Sequence, residues 1–96
     1  SFIANGFNLG NAYPNPFNNN IKFPVIFDKS GGLTIEIFNL SGQSVIKLFD
    51  GNIEPGSYSF RWNGTNTRGT EIPSGTYFLF ISNDKFSYEQ KILLLK

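Results

Sequence analysis

The chain has 96 residues, enough for one small domain, and its 40% apolar content with eleven Phe, four Tyr and one Trp can fill a single core. Eight basic against seven acidic residues leave a net charge of +1, which argues against electrostatic binding to nucleic acid or to an anionic membrane. With no Cys, His or Met, the chain has no disulfide, no thiolate chemistry and no imidazole metal ligand. No apolar run approaches the ~20 residues that span a bilayer as a helix. No amino-terminal signal peptide is visible, so export would require a longer precursor or a signal elsewhere.

In chain order, residues 1–8 read as a linker or the remnant of an attached cargo. The stretch Asn11 to Asn20 (NAYPNPFNNN) has prolines at 14 and 16 and no helical period, and reads as an extended opening segment with turns. Ile21–Phe27 alternates, with Ile21, Phe23, Val25 and Phe27 on one face. Pro24 lacks a ladder donor and predicts an edge strand or a bulge there. Leu33–Phe38 alternates cleanly, and Asn39–Gln43 connects it to a short strand, Val45–Phe49. Asp50-Gly51 reads as a turn.

Tyr58, Phe60 and Trp62 alternate with polar residues and predict the next strand. Asn63–Gly69 (NGTNTRG) reads as a polar loop. Thr76–Ile81 is apolar on both faces, as a central strand would be. Asn83-Asp84 turns the chain into a final strand from Phe86 to Leu95. Phe86, Tyr88, Ile92 and Leu94 share one parity, with Gln90 as its polar exception; Leu93 and Leu95 lie on the other.

About seven short strands at regular turn spacing predict an all-β immunoglobulin/fibronectin-like antiparallel β-sandwich, with residues 1–96 as a single domain.

Catalysis is poorly supported. The carboxylates fall in or beside turns with no pairing motif, and without His no Ser–His nucleophile can be built. In the 63–69 loop, Asn63, Thr65 and Asn66 supply only neutral side-chain oxygens, and Arg68 repels cations; a tight turn is expected there in preference to a calcium site. No cofactor is expected. Phe38, Phe49, Phe78 and Phe80 could stack on sugars from an open sheet face, but so aromatic a sandwich is expected to bury both faces of its central strand.

The carboxyl end is the most informative part. Lys91-Ile92-Leu93-Leu94-Leu95-Lys96 sets four large apolar residues between lysines, where termini ordinarily fray. Burying each Leu or Ile stabilises by about 1.5–3 kcal/mol, so this segment is a last strand, a handle for another protein, or both.

Three motifs then fall in order. They are Tyr13-Pro14-Asn15-Pro16-Phe17-Asn18; Asn39 with Gly42 and Gln43 in IFNLSGQSV; and Trp62, Gly64, Gly69, Gly75 and Tyr77 in a block that runs into the terminal strand. Over residues 9 to 96 the chain resembles the type A carboxyl-terminal sorting domain of type IX secretion substrates, and the related immunoglobulin-like domain of flagellar hook-capping proteins.

The resemblance implies a non-enzymatic export module of Bacteroidetes-like bacteria, joined covalently to an amino-terminal cargo. Its partners would be the secretion translocon and a sortase-like surface peptidase, and its location the cell surface or the medium, by way of the periplasm and outer membrane. Recognition would lie in the last strands, Thr76–Ile81 and Phe86–Lys96, with Lys91 and Lys96 at the family's basic positions. The family often has Asp after the Trp, where this chain has Asn63.

Alternative readings are an accessory sandwich of a secreted enzyme, with or without carbohydrate binding, and a hook-cap-like assembly domain. An open terminal edge strand would also allow a partner's strand to add, or a dimer to form.

Overall fold

The computed structural model describes residues 2–4, 7–83 and 86–96, with side chains from residue 10 onward. The Asp84 half of the expected turn at 83–84 lies outside the described residues. Eight strands occur among those described: β1 Phe2–Ala4, β2 Phe7–Leu9, β3 Ile21–Phe27, β4 Gly31–Asn39, β5 Ser44–Ile53, β6 Gly56–Trp62, β7 Gly75–Ser82 and β8 Ser87–Leu94. Six are long (β3 to β8), and all pairings are antiparallel. One sheet runs β1-β2-β3-β6 and the other β5-β4-β7-β8.

The two sheets face each other across one core, because period-2 alternation puts every second apolar residue on the inner faces. Phe23 and Val25 on β3, Ile35 and Ile37 on β4, and Leu79 and Ile81 on β7 are all fully buried in it. No polar or charged residue is buried among the described residues. This is the immunoglobulin-like sandwich that the strand pattern predicts.

Several elements differ from the sequence reading. Where a linker was expected over 1–8, residues 2–4 and 7–9 form strands that extend the first sheet beyond β3. Pro24 therefore sits in an interior strand, paired with Ser59 on one side. Its carbonyl accepts the Gly10 amide at 3.0 Å on the other side. In an antiparallel strand a residue's N and O point the same way. The missing N–H thus faces Gly10, just past the last β2 pair, Leu9 with Val25, and no bond to β6 is lost.

Asp50-Gly51 is not a turn. β5 continues through it, pairing Asp50 with Thr34 and Gly51 with Leu33. Register shifts at Ile35/Glu36 and Ile37/Phe38 insert extra residues into this hairpin. Such bulges re-aim the strand and break the simple alternation that a sequence reading relies on. β8 begins at Ser87, and Phe86 lies before it, 39% exposed, outside the core that its parity suggested.

Gly10 packs so closely on Pro24 that an added Cβ would lie 2.8 Å from Pro24 Cγ. Gly10→Ala is expected to cost about 1–3 kcal/mol by overpacking. Urea unfolding should show a lower midpoint with an unchanged slope; an unchanged midpoint would mean that this contact relaxes freely.

Candidate functional site

β8 is a border strand of its sheet, yet much of its outer edge is covered. The segment Asn15–Phe17 lies along it as a strap. The Phe17 amide donates to the Leu93 carbonyl (2.9 Å), and the Leu95 amide donates to the Phe17 carbonyl (2.8 Å). The Asn15 side chain completes the pairing: its Nδ2 donates to the Lys91 carbonyl (3.1 Å) and its Oδ1 accepts the Leu93 amide (3.0 Å). A side-chain amide carries one acceptor and two donors, so Asn can imitate a peptide group on a strand edge. Both X-Pro bonds of the strap, Tyr13-Pro14 and Asn15-Pro16, are cis.

The strap is anchored inward by one ring. Phe17 is buried and meets Trp62 with ring centroids 5.5 Å apart, and Trp62 meets Tyr77 edge-on at 5.6 Å. The indole Nε1 donates to the Thr65 carbonyl (2.8 Å) and the Tyr77 hydroxyl to the Pro73 carbonyl (2.7 Å). Each buried aromatic thus keeps its polar atom paired. Tyr13, by contrast, is 53% exposed and is held by its backbone, paired in both directions with Lys22. Ala12 is buried instead, and its amide donates to Gln90 Oε1 (3.2 Å). Gln90, polar on an otherwise apolar parity, therefore has a structural partner.

The terminal residues divide by parity. Ile92 and Leu94 are fully buried. Lys91 is exposed, Leu93 is half-buried and Leu95 is 49% exposed. Lys96 is tied down, its amide donating to Ser74 Oγ (2.9 Å) and its Nζ pairing with Glu71 (3.0 Å). Of the edge-facing backbone groups, the strap takes the Lys91 carbonyl, the Leu93 amide and carbonyl, and the Leu95 amide. By alternation, those of Ser87 and Glu89 face the same edge beyond it.

The other motif residues build turns. Asn39 Oδ1 accepts the amides of Ser41 and Gln43, its Nδ2 donates to Gln43 Oε1, and Gly42 takes φ +87° between them. Asn66 Oδ1 accepts the amides of Arg68 and Thr70, beside Gly69. Asn63 Oδ1 accepts the Thr65 hydroxyl (2.6 Å). The side-chain oxygens of Asn63, Thr65 and Asn66 are thus engaged in the loop's own turn, while the Thr67 hydroxyl donates to the Val45 carbonyl (3.3 Å). Gly64, at φ +77°, lies against Leu94, where a Cβ would be 3.5 Å from Leu94 Cδ2. Gly75 opens β7, and Asn18 follows the strap at the surface.

One expectation fails on the outer face of the second sheet. Phe38, Phe78 and Phe80 are only partly buried there, while Tyr77, Leu79 and Ile81 are buried on the opposite parity. Both faces of β7 are apolar, yet only one is covered. Phe49 differs: it turns inward and packs on Phe60 at 5.8 Å.

These features define an immunoglobulin-like sandwich with a strapped terminal strand. The model of the FlgD Ig-like domain matches residues 21–85, well over half of the chain, and the chain belongs to that family. No catalytic family is indicated. No curated protein matches the chain.

Among solved structures, dimeric latent PorU from Porphyromonas gingivalis matches 97% of the chain at TM-score 0.71 and 17% identity. PorZ of the same organism, described as an essential surface component of its type IX secretion system, matches 90% at TM-score 0.60 and 18% identity. FlgD from Pseudomonas aeruginosa matches 78% at TM-score 0.58 and 25% identity. The chain spans 10% of that PorU chain, 11% of PorZ and 61% of FlgD.

Two outcomes are expected at this site. Asn15→Ala removes both side-chain bonds to β8 and should cost about 1–2 kcal/mol. Hydrogen exchange at the Leu93 amide should accelerate more than at core amides; equal acceleration everywhere would refute a local strap. Burial holds the Tyr77 hydroxyl above its ordinary pKa of 10.0. The folded state therefore binds this proton more tightly than the unfolded state does. The resulting stability is complete below about pH 10 and is lost as pH rises through the folded value. Thermal unfolding of Tyr77→Phe should show a shallower alkaline decline than the unaltered chain.

Proposed function

We propose that the domain is a non-catalytic carboxyl-terminal sorting module that carries an attached amino-terminal cargo through a type IX secretion system to the cell surface or the medium. The carrying observation is the division of β8: Ile92 and Leu94 hold the sandwich, while Lys91, Leu93 and Leu95 present a readable surface. A translocon would meet a folded strand in a fixed frame, and a sortase-like peptidase would act at the junction with the cargo.

Support comes from the ordered motifs and from the likeness in fold to PorU and PorZ, the latter described as a surface component of that system. A hook-cap-like assembly domain is the second reading, favoured by the family match over residues 21–85.

The test is a secreted reporter fused ahead of the chain in a bacterium with this system. Deleting Lys91–Lys96 should abolish export, but it also removes core residues. Lys91→Glu combined with Leu95→Ser alters only exposed positions and should leave the melting temperature nearly unchanged while extracellular reporter falls. Normal export of that folded double variant would sink the reading.

A further inference from the structure

The outer face of the β5-β4-β7-β8 sheet holds an open hollow of about 330 Å³ lined by Phe38, Leu40, Phe78, Phe80 and Glu89, together with the turn after β4. Phe38 and Phe78 stand opposite each other across β4 and β7. Phe38 and Phe80 meet at 5.9 Å with their planes at 84°, forming a corner. Leu40 stands at its rim, 73% exposed. None of these side chains contributes to the core.

The charges around this corner are uneven. Phe80 pairs with Glu36 on β4 and with Glu89 on β8, so an acidic residue neighbours it on each side along the sheet's outer face, and Glu89 lines the hollow itself. Glu36 accepts a hydrogen bond from the Ser44 hydroxyl, and no ion pair forms at either carboxylate among the described residues. Lys47, across from Glu36, is paired with Asp50 at 3.6 Å. Lys91 stands opposite Phe78, at the other end of the patch. The patch is thus acidic at Phe80 and basic at Phe78.

We propose that this corner is a docking site for an arginine side chain on a basic segment of a partner protein. A guanidinium is planar, stacks on an aromatic face and donates to a carboxylate at the same time. An aromatic wall beside the Glu89 carboxylate, with Glu36 one strand away, matches all three properties. An extended polysaccharide would want a coplanar platform, and rings at 84° do not make one. None of Lys91–Lys96 lines the hollow, which borders that surface only where Lys91 stands opposite Phe78, and the proposal does not depend on the sorting role.

The test is amide NMR of the isotope-labelled chain titrated with a short arginine-rich peptide. The same peptide with citrulline in place of arginine is the neutral control. Saturable shifts centred on Phe38, Phe78, Phe80 and Glu89, absent with the citrulline peptide and weakened by salt, are expected. Phe80→Ala and Glu89→Gln should each weaken binding by about two- to fivefold. Glu89 is exposed, so its variant keeps the test valid if Phe80→Ala folds poorly. Four results would overturn the proposal: no saturable shift, equal shifts with citrulline, equal shifts with cello- or chito-oligosaccharides, or concentration-dependent shifts of the chain alone, which would place a second copy on this face.

Discussion

The structure depends on one contact between distant parts of the chain: Phe17, set into the core against Trp62, with its backbone bonded to Leu93 and Leu95. Without it, the inner ends of both sheets would expose Trp62, Tyr77 and Leu94. A sandwich of this size has little surplus burial, so one large aromatic closing the end counts for much. The ring and the backbone serve different ends. The ring seals the core, while the amide and carbonyl, with Asn15, convert a border strand into one that is paired on both sides over its last residues.

That pairing explains the arrangement of the terminal residues. A hydrophobic run at the surface would ordinarily invite aggregation through its open edge. Here the edge is occupied by the strap and half of the side chains are buried, so only the opposite parity stays visible. The outer face of the same sheet has no such cover at Phe38, Phe78 and Phe80. The sheet therefore carries two kinds of accessible apolar surface, one on its terminal strand and one at its middle, with different charges around them.

Much of this was legible from residue order alone. The alternation of Ile21–Phe27, Leu33–Phe38 and Tyr58–Trp62 gave the inner faces correctly, because a half-buried strand has a strict period of two. Pro24 misled because its effect depends on which neighbour its nitrogen faces, and a three-residue partner strand settles that. Asp50-Gly51 misled because turn-forming residues can also pair regularly within a strand, as these do with Thr34 and Leu33. The open aromatic face was missed because apolar residues on both parities look the same whether one face is covered or two. The role of Gln90 was signalled by its misfit on the inward parity, but its partner, a backbone amide 78 positions away, has no sequence signature.

That separation has a kinetic side. Contacts between residues 78 positions apart form late, since the intervening loop must close first. During synthesis, Phe17 emerges long before the strand that receives it. Until residues 90–95 arrive, the strap has nothing to lie on and the end of the sandwich stays open. The domain therefore reports on its own synthesis: a nascent chain that has not yet reached Leu93 and Leu95 keeps its aromatic plug unseated.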